Sequence, residues 1–177
     1  MSVDRLKAIV PPPQRPFEVE GLDRWRAVEL KLGVTLPVDY RDFIFGYGSG
    51  LFARFYGIYS PFAASEWTNL LTSVERVCRG LGQIKRDWPE QVPYLIYPDC
   101  PGLLPWGRDE NGNDYYWLTK GPPNTWQVVS DEVRGEGLRH HECNMTDFLS
   151  DILTGEIPAL AGDYPHDQDR IFKAWTE

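Results

Sequence analysis

Residues 103–118 read LLPWGRDENGNDYYWL and have the features of a β-hairpin, around which the rest of the predicted fold is arranged. Asn111 and Gly112 form a dipeptide that commonly supplies the two positive-φ positions of a type I′ turn. The residues after the turn, 114–118, are aromatic and strand-prone. The sequence therefore predicts two antiparallel strands joined at Asn111 and Gly112.

Helices are predicted on both sides of the hairpin from apolar residues at helical spacing. One helix is expected at residues 22–32, ended by Gly33, and a second, short helix after Pro37, ended by the glycines of residues 46–50. Two more helices are expected at residues 72–81 and 145–152. Thr72 with Glu75 is expected to form a capping box. Asn144 is expected to cap the last of these helices and Gly155 to end it.

Further strands are predicted beside the hairpin. Residues 51–59 are rich in aromatic and β-prone side chains, and residues 92–97 suit an edge strand because Pro93 interrupts them. Residues 126–129 are expected to pair with the second arm of the hairpin. Helices at both ends around a central run of strands favour an α+β fold, in which N-terminal and C-terminal helices flank a mainly antiparallel sheet.

The chain of 177 residues has the length of one domain, and an apolar content of 42% is enough for a sizeable core. Residues 1–21 are interpreted as an N-terminal arm with a short helix and the proline-rich connector PPPQRP. Residues 22–157 form the predicted domain. Residues 158–177 are interpreted as an extension packed on it, with a last helix at 167–175 that turns Ile171, Phe172 and Trp175 inward.

Hydropathy and cysteine content predict a soluble cytoplasmic protein. No apolar run reaches the roughly 18 residues of a membrane span, so no contact with a membrane is expected. Cys78, Cys100 and Cys143 are widely spaced and contain no C-x-x-C pair, which predicts three reduced thiols.

The formal net charge of −8 is unevenly distributed. Residues 1–98 hold 12 basic and 11 acidic side chains, whereas residues 99–177 hold 6 basic and 15 acidic ones. Such an acidic half disfavours binding of nucleic acid, which needs clustered Lys and Arg. Two interpretations stay open: a solvated surface that maintains solubility, and steering toward a basic protein partner.

Asp109, Asn111 and Asn113 have the 1, 3, 5 spacing of a calcium-binding EF-hand loop. The sixth position is Asp114 instead of glycine and the twelfth is Lys120 instead of glutamate, which disfavours a calcium site. We expect the Asp and Asn side chains to bond back to the backbone of the turn instead.

Other candidate sites for a metal or a nucleophile also fail. His140, His141 and Cys143 are the only cluster of soft metal ligands, but an extended backbone would point the adjacent histidines to opposite faces. The histidine pair is instead interpreted as exposed residues at a strand end or in a loop. Ser49 lies in GYGSG, which lacks the glycine pattern of a nucleophile elbow and the lysine of a P-loop. No catalytic residue, metal or cofactor is predicted.

The aromatic residues of the hairpin suggest a binding surface. Alternation places Tyr115 and Trp117 on one face of the strand and Tyr116 on the other, so one set is expected in the core and the other on the surface. Trp106 and Trp117 are the expected core residues. An exposed tyrosine beside carboxylates would be an interface anchor. The predicted partner-binding residues are Asp109, Glu110, Asp114, Tyr115 and Tyr116.

Together with LGVTLPVDYRDFIFGYGSG at residues 32–50, the hairpin resembles the SUKH superfamily of Smi/Knr-type proteins. The similarity runs over residues 22–157. Its pieces in this chain are Trp25, Leu32-Gly33, LPVDY at 36–40, Phe43, YGSG at 47–50, LLPWGRDENGNDYYW at 103–117, Trp126 with Val128, and FLSDILTGEI at 148–157.

The resemblance implies an α+β fold and a role in protein binding. Many bacterial members are immunity proteins that neutralise toxins, and fungal relatives are regulatory interaction modules. The family has no shared catalytic residues, so the resemblance does not imply an enzyme. Its implied partner is a cognate toxin, in many cases a nuclease with a basic surface. A regulatory or scaffolding module is the second hypothesis, and an unrecognised hydrolase is the third.

Overall fold

The computed structural model describes residues 2–132, 137–158 and 170–175. Its α-helices are α1 (Ser2–Ile9), α2 (Leu22–Leu32), α3 (Val38–Tyr47), α4 (Leu70–Asp87) and α5 (Met145–Thr154). Its strands are β1 (Gly50–Phe52), β2 (Tyr56–Ile58), β3 (Leu95–Ile96), β4 (Gly102–Asp109), β5 (Asp114–Leu118), β6 (Gln127–Glu132), β7 (Gly137–His141) and β8 (Lys173–Ala174). Within these ranges, no helix has the length and hydropathy needed to cross a membrane.

The strands form one sheet in the order β7-β6-β5-β4-β2-β1-β8. All neighbours along this path are antiparallel, while β3 pairs with β4 in parallel beside it. The predicted α+β class with a mainly antiparallel sheet is therefore confirmed. So is the pairing of β6 with the second arm of the hairpin.

The hairpin of β4 and β5 lies at the centre of the sheet, but its predicted turn type is wrong. Only Gly112 has a positive φ, of 90°, whereas Asn111 does not. The Gly112 N–H donates to the Asp109 carbonyl at 3.0 Å, and the Asp109 N–H donates to the Asn113 carbonyl at 3.0 Å. The loop therefore spans residues 110–113 and needs one left-handed residue rather than two.

Helix termini follow local sequence signals in most cases. Gly33 and Gly155 end α2 and α5 in the left-handed conformation, and the Asn144 side chain accepts from the Asp147 N–H at the start of α5. The capping box predicted at Thr72 is wrong. Helix α4 begins earlier because the Asn69 side chain accepts a hydrogen bond from the Leu71 N–H.

The core occupies both faces of the sheet. On one face Trp106, Tyr115 and Trp117 are buried, with Phe148 of α5 and Tyr40 of α3 against them. This confirms Trp106 and Trp117 as core residues. On the opposite face α4 packs on β4 and covers Tyr116. We call this second side of the sheet the α4 face.

Helix α1 and residues 170–175 both contact the described part of residues 22–157. Helix α1 lies on α5, where Arg5 bonds Asp151 at 2.5 Å and Leu6 is fully buried. The helix predicted at 167–175 is wrong over residues 170–175, where β8 pairs with β1; residues 167–169 lie outside the described residues. The strand predicted at 51–59 is divided into β1 and β2 by Ala53 and Arg54, which both have positive φ.

Gly112→Val should lower the free energy of unfolding by about 1–3 kcal/mol, because a β-branched residue is strained at a φ of +90°. A Cβ at this position would meet nothing within 4 Å, so backbone strain alone is tested. Gly80→Ala in α4 is the matched control: it also meets nothing and should raise stability by about 0.5–1 kcal/mol. Denaturant unfolding measures both, and an unchanged midpoint for Gly112→Val contradicts the argument.

Candidate functional site

The Asp109 carboxylate organises the hairpin loop. Its Oδ1 accepts the N–H groups of Asn111 and Asn113, each at 2.9 Å. Its Oδ2 accepts the Asn113 side-chain amide at 2.9 Å and the Tyr115 hydroxyl at 2.7 Å. Four donors therefore converge on one buried carboxylate, and the Asp109 side chain bonds back to the backbone of the turn as the sequence predicts.

Most of the predicted partner-binding residues are buried in or beside this network. Tyr115 and Tyr116 are each only 1% exposed, so the expectation of an exposed tyrosine anchor is wrong. The reason is that helices cover the sheet on both sides of the hairpin. Asp109 and Asp114 are also buried, and only Glu110 of the predicted set is exposed. Their role in partner binding stays a prediction, and Glu110 alone has a side chain free to meet a partner.

A row of charges crosses the sheet on the α4 face. Arg108 on β4 binds Asp114 on β5 through two hydrogen bonds of 2.9 and 2.8 Å. Asp114 in turn lies directly opposite Asp131 on β6. Burial raises the pKa of Asp131, and the neighbouring Asp114 charge raises it further. Among the described residues no cation pairs with Asp131, so this carboxylate carries an electrostatic cost in the free protein.

A groove of about 560 Å³ opens beside Asp131, between the C-terminal half of α4 and the β6–β7 hairpin. Leu81, Ile84 and Leu138 supply apolar surface, and Glu90 and Glu132 add carboxylates to that of Asp131. We call it the acidic groove. Sequence reasoning missed it because its residues come from segments about 50 positions apart, and the acidic half of the chain was the only available signal.

A second pocket, of about 210 Å³, lies on the α4 face near the N-terminal half of α4. Tyr59, Trp67, Arg76, Arg108 and Trp175 line it, and we call it the arginine pocket. It brings together four segments of the chain, including Trp175, which directly follows the strand β8 in a region that the sequence assigned to a helix. The two pockets therefore lie along one helix; the first holds three carboxylates, and the second holds two arginines together with Asp109 and Glu110.

The two histidines lie on opposite faces of β7, as expected, but the interpretation of both as exposed is wrong. His140 is exposed, whereas His141 is buried beside Phe148 with its Nε2 2.9 Å from the Ser130 hydroxyl. Burial lowers the pKa of His141 to about 4, and the charges of Arg139 and His140 act in the same direction. His141 is therefore a neutral core residue at neutral pH.

Asp109→Ala should lower the free energy of unfolding by about 3 kcal/mol, because it leaves buried donors of the loop and of Tyr115 unsatisfied. Glu110→Ala is the neighbouring control and should change stability by less than about 0.5 kcal/mol, because its side chain is exposed. Thermal and denaturant unfolding compare the two. Equal effects would mean that the Asp109 network does not stabilise the hairpin.

Stability should fall as the pH is lowered from about 6.5 to about 4, and His141 should account for part of the loss. The folded state holds this histidine neutral, so the unfolded chain binds a proton first as the pH drops. His141→Gln keeps a polar partner for Ser130 and should flatten this part of the profile relative to wild type. His140→Gln is the exposed control. Urea unfolding at several pH values tests this, and parallel profiles for wild type and His141→Gln contradict it.

Comparison with known proteins agrees with this architecture. A family model described as SMI1-KNR4 cell-wall matches residues 22–149, which is most of the chain and includes α2 to the first half of α5. No curated protein and no solved structure gives a significant match. Because the match covers well over half of the 177 residues and the fold has the expected α+β layers, this chain belongs to the SMI1-KNR4 family of the SUKH superfamily.

Proposed function

We propose that this protein is an immunity protein of the cytoplasm, which neutralises a cognate bacterial toxin by binding it stoichiometrically through the α4 face. Membership of the SUKH superfamily supports a role of this kind. The observation that carries the assignment to the α4 face is the acidic groove, because it combines apolar surface with carboxylates that lack partners within the described residues.

The groove suits a basic, amphipathic segment of a partner. Its apolar surface comes from α4 and β7, and three carboxylates surround it. A partner Lys or Arg placed against Asp131 would relieve the repulsion between Asp131 and Asp114. Charge pairs of this type contribute to both association rate and specificity. The acidic half of the chain would steer a basic toxin, such as a nuclease, toward this side.

Exposed apolar residues are concentrated in the same region. Half of the large exposed hydrophobic residues in the described part of the chain lie on α4 or on segments beside it: Trp67, Ile84, Trp88 and Leu95. Tryptophan is enriched at binding hot spots, and exposed apolar side chains next to a groove are typical of protein interfaces. Both features support binding of a protein rather than of a small ion.

A regulatory or scaffolding module is the second candidate, since the same groove would suit a cellular partner of equal chemistry. The third candidate, a hydrolase, has less support. Burial raises the pKa values of the Cys78 and Cys143 thiols to about 12, so neither is a reactive thiolate at neutral pH. Ser49 is fully buried. These observations disfavour thiol chemistry at Cys78 and Cys143 and serine chemistry at Ser49.

Co-expression with the product of the neighbouring gene tests the class of function. If that product is toxic alone, this chain should restore growth and co-purify with it at a one-to-one ratio. A toxic neighbour that this chain neither binds nor counteracts would contradict the proposal. A non-toxic neighbour that binds tightly through the groove would favour the regulatory alternative.

Asp131→Asn should separate binding from stability. Removing the charge relieves its repulsion with Asp114, so the melting temperature should rise. Loss of the same charge should slow association with a basic partner, and the double variant Asp131→Asn with Glu132→Gln should slow it by roughly tenfold at low salt.

The matched control for these variants is Asp23→Asn, which neutralises an almost fully exposed carboxylate on α2. Stopped-flow binding at two salt concentrations gives the association rates, since added salt screens such attraction. A groove variant that associates as fast as Asp23→Asn would remove the acidic groove from the interface. A lower melting temperature for Asp131→Asn would contradict the electrostatic cost assigned to that residue.

A further inference from the structure

The arginine pocket contains hydrogen-bond donors that nothing in the described chain satisfies. The Tyr59 hydroxyl is buried, in a residue only 3% exposed, and its O–H has no acceptor among the described residues; the neighbouring Arg76 can only donate to its oxygen. Burial raises the pKa of Tyr59 to about 12, so the hydroxyl keeps its proton and is available as a donor. A buried donor left unpaired costs free energy, which a ligand oxygen in the pocket would recover.

Arg76 supplies an unpaired charge beside this hydroxyl. Its guanidinium stacks on the Trp67 ring at 4.8 Å, and its Nη2 donates to the Trp67 carbonyl and to the Ser73 hydroxyl. These contacts hold the side chain in place, yet no carboxylate lies within ion-pair distance of it among the described residues. Arg76 is thus a positioned cation without a counter-ion.

Arg108 contributes a further donor to the same pocket. Its two bonds to Asp114 use Nε and Nη2, which leaves Nη1 for another acceptor. Asp114 pairs with Arg108, and the carboxylate of Asp109, which also lines the pocket, is held by the loop and the Tyr115 hydroxyl, so Arg76 is the arginine here without an ion-pair partner among the described residues. Glu110 at the edge of the pocket would repel a ligand with a second negative charge.

Two tryptophans form apolar walls around these donors. Trp67 is 64% exposed, and Trp175 reaches over Gly57, with its ring 3.7 Å from the position of a Cβ there. The Trp175 N–H bonds the Ser49 carbonyl at 3.1 Å, which fixes this residue after β8. Trp175 lies beyond the residues that match the family model, so this wall comes from outside the shared part of the chain.

We propose that the arginine pocket binds the carboxylate of an Asp or Glu side chain presented by the partner protein. Arg76, Tyr59 and Arg108 all line the pocket and can donate to one oxyanion, and a carboxylate supplies the counter-ion that Arg76 lacks among the described residues. The volume of about 210 Å³ is smaller than the roughly 300 Å³ of the smallest usual ligand sites, so it fits one side chain better than a nucleotide. The identity of the ligand as part of a protein depends on the proposed function.

Titration with short peptides tests the pocket without the partner. The probes are acetyl-Gly-Glu-Gly-amide, its Gln counterpart and inorganic phosphate, added to the full chain while NMR follows the indole N–H signals of Trp67 and Trp175. The Glu peptide should shift both signals saturably with a Kd on the order of 1 mM, and the Gln peptide should bind about tenfold more weakly. Trp67→Phe assigns the Trp67 signal.

Variants then test the donors. Arg76→Gln should weaken binding of the Glu peptide by about tenfold. Arg79 is an exposed arginine one turn further along α4, and Arg79→Gln should leave this binding unchanged. Tyr59→Phe removes only the unpartnered hydroxyl, so it should keep the fold and still weaken binding. Tyr59→Phe therefore tests the proposed carboxylate site even if Arg76→Gln does not fold.

Equal shifts with the Glu and Gln peptides, no saturable shift, or equal effects of Arg76→Gln and Arg79→Gln would overturn the proposal. Tighter binding of phosphate than of the Glu peptide would also overturn it, in favour of a phosphate site. None of these results bears on the acidic groove, so toxin binding that persists after a negative titration leaves the proposed function in place. Saturable binding of the Glu peptide by a protein for which no toxin partner is found would support the carboxylate site but not the proposed function.

Discussion

The constraint on which the structure depends is the set of four hydrogen bonds to the buried Asp109 carboxylate. They close the loop of residues 110–113 and connect it to Tyr115, which fixes the register of β4 against β5. That register places Arg108 opposite Asp114, and the next pair places Asp114 opposite Asp131. A change of one residue in register would turn every side chain to the other face and remove the charge row from the α4 face.

Features encoded by adjacent residues could be predicted from the sequence. Gly33, Asn144 and Gly155 terminate or cap helices because the signal and its effect lie within one helical turn. The hairpin itself was also predictable, since its arms are joined by four residues. Its turn type was not, because the competing hydrogen bonds of Asp109 decide it, and a dipeptide pattern does not include them.

Features that depend on distant segments could not be predicted. Alternation along β5 predicts that Tyr115 and Tyr116 face opposite sides, but it cannot say that α5 covers one side and α4 the other. Residues 170–175 have apolar positions that suit a helix as well as a strand, and pairing with β1, more than 120 positions away, decides between them. Both pockets have the same origin, because each joins α4 to segments that are distant from it in the chain, on either side.

The two pockets together explain how one acidic protein could select a single partner among many basic ones. Arg76 and Ile84 are eight residues apart on α4, which is about 12 Å along the helix axis. A partner with only basic residues would fill the acidic groove but would bury Arg76 without a counter-ion, at a substantial cost in free energy. A partner that presents a basic segment and a carboxylate at the matching distance avoids this cost. On these two proposals, the unpaired Arg76 would act against partners without a matching carboxylate, while the acidic groove would attract basic partners as a class.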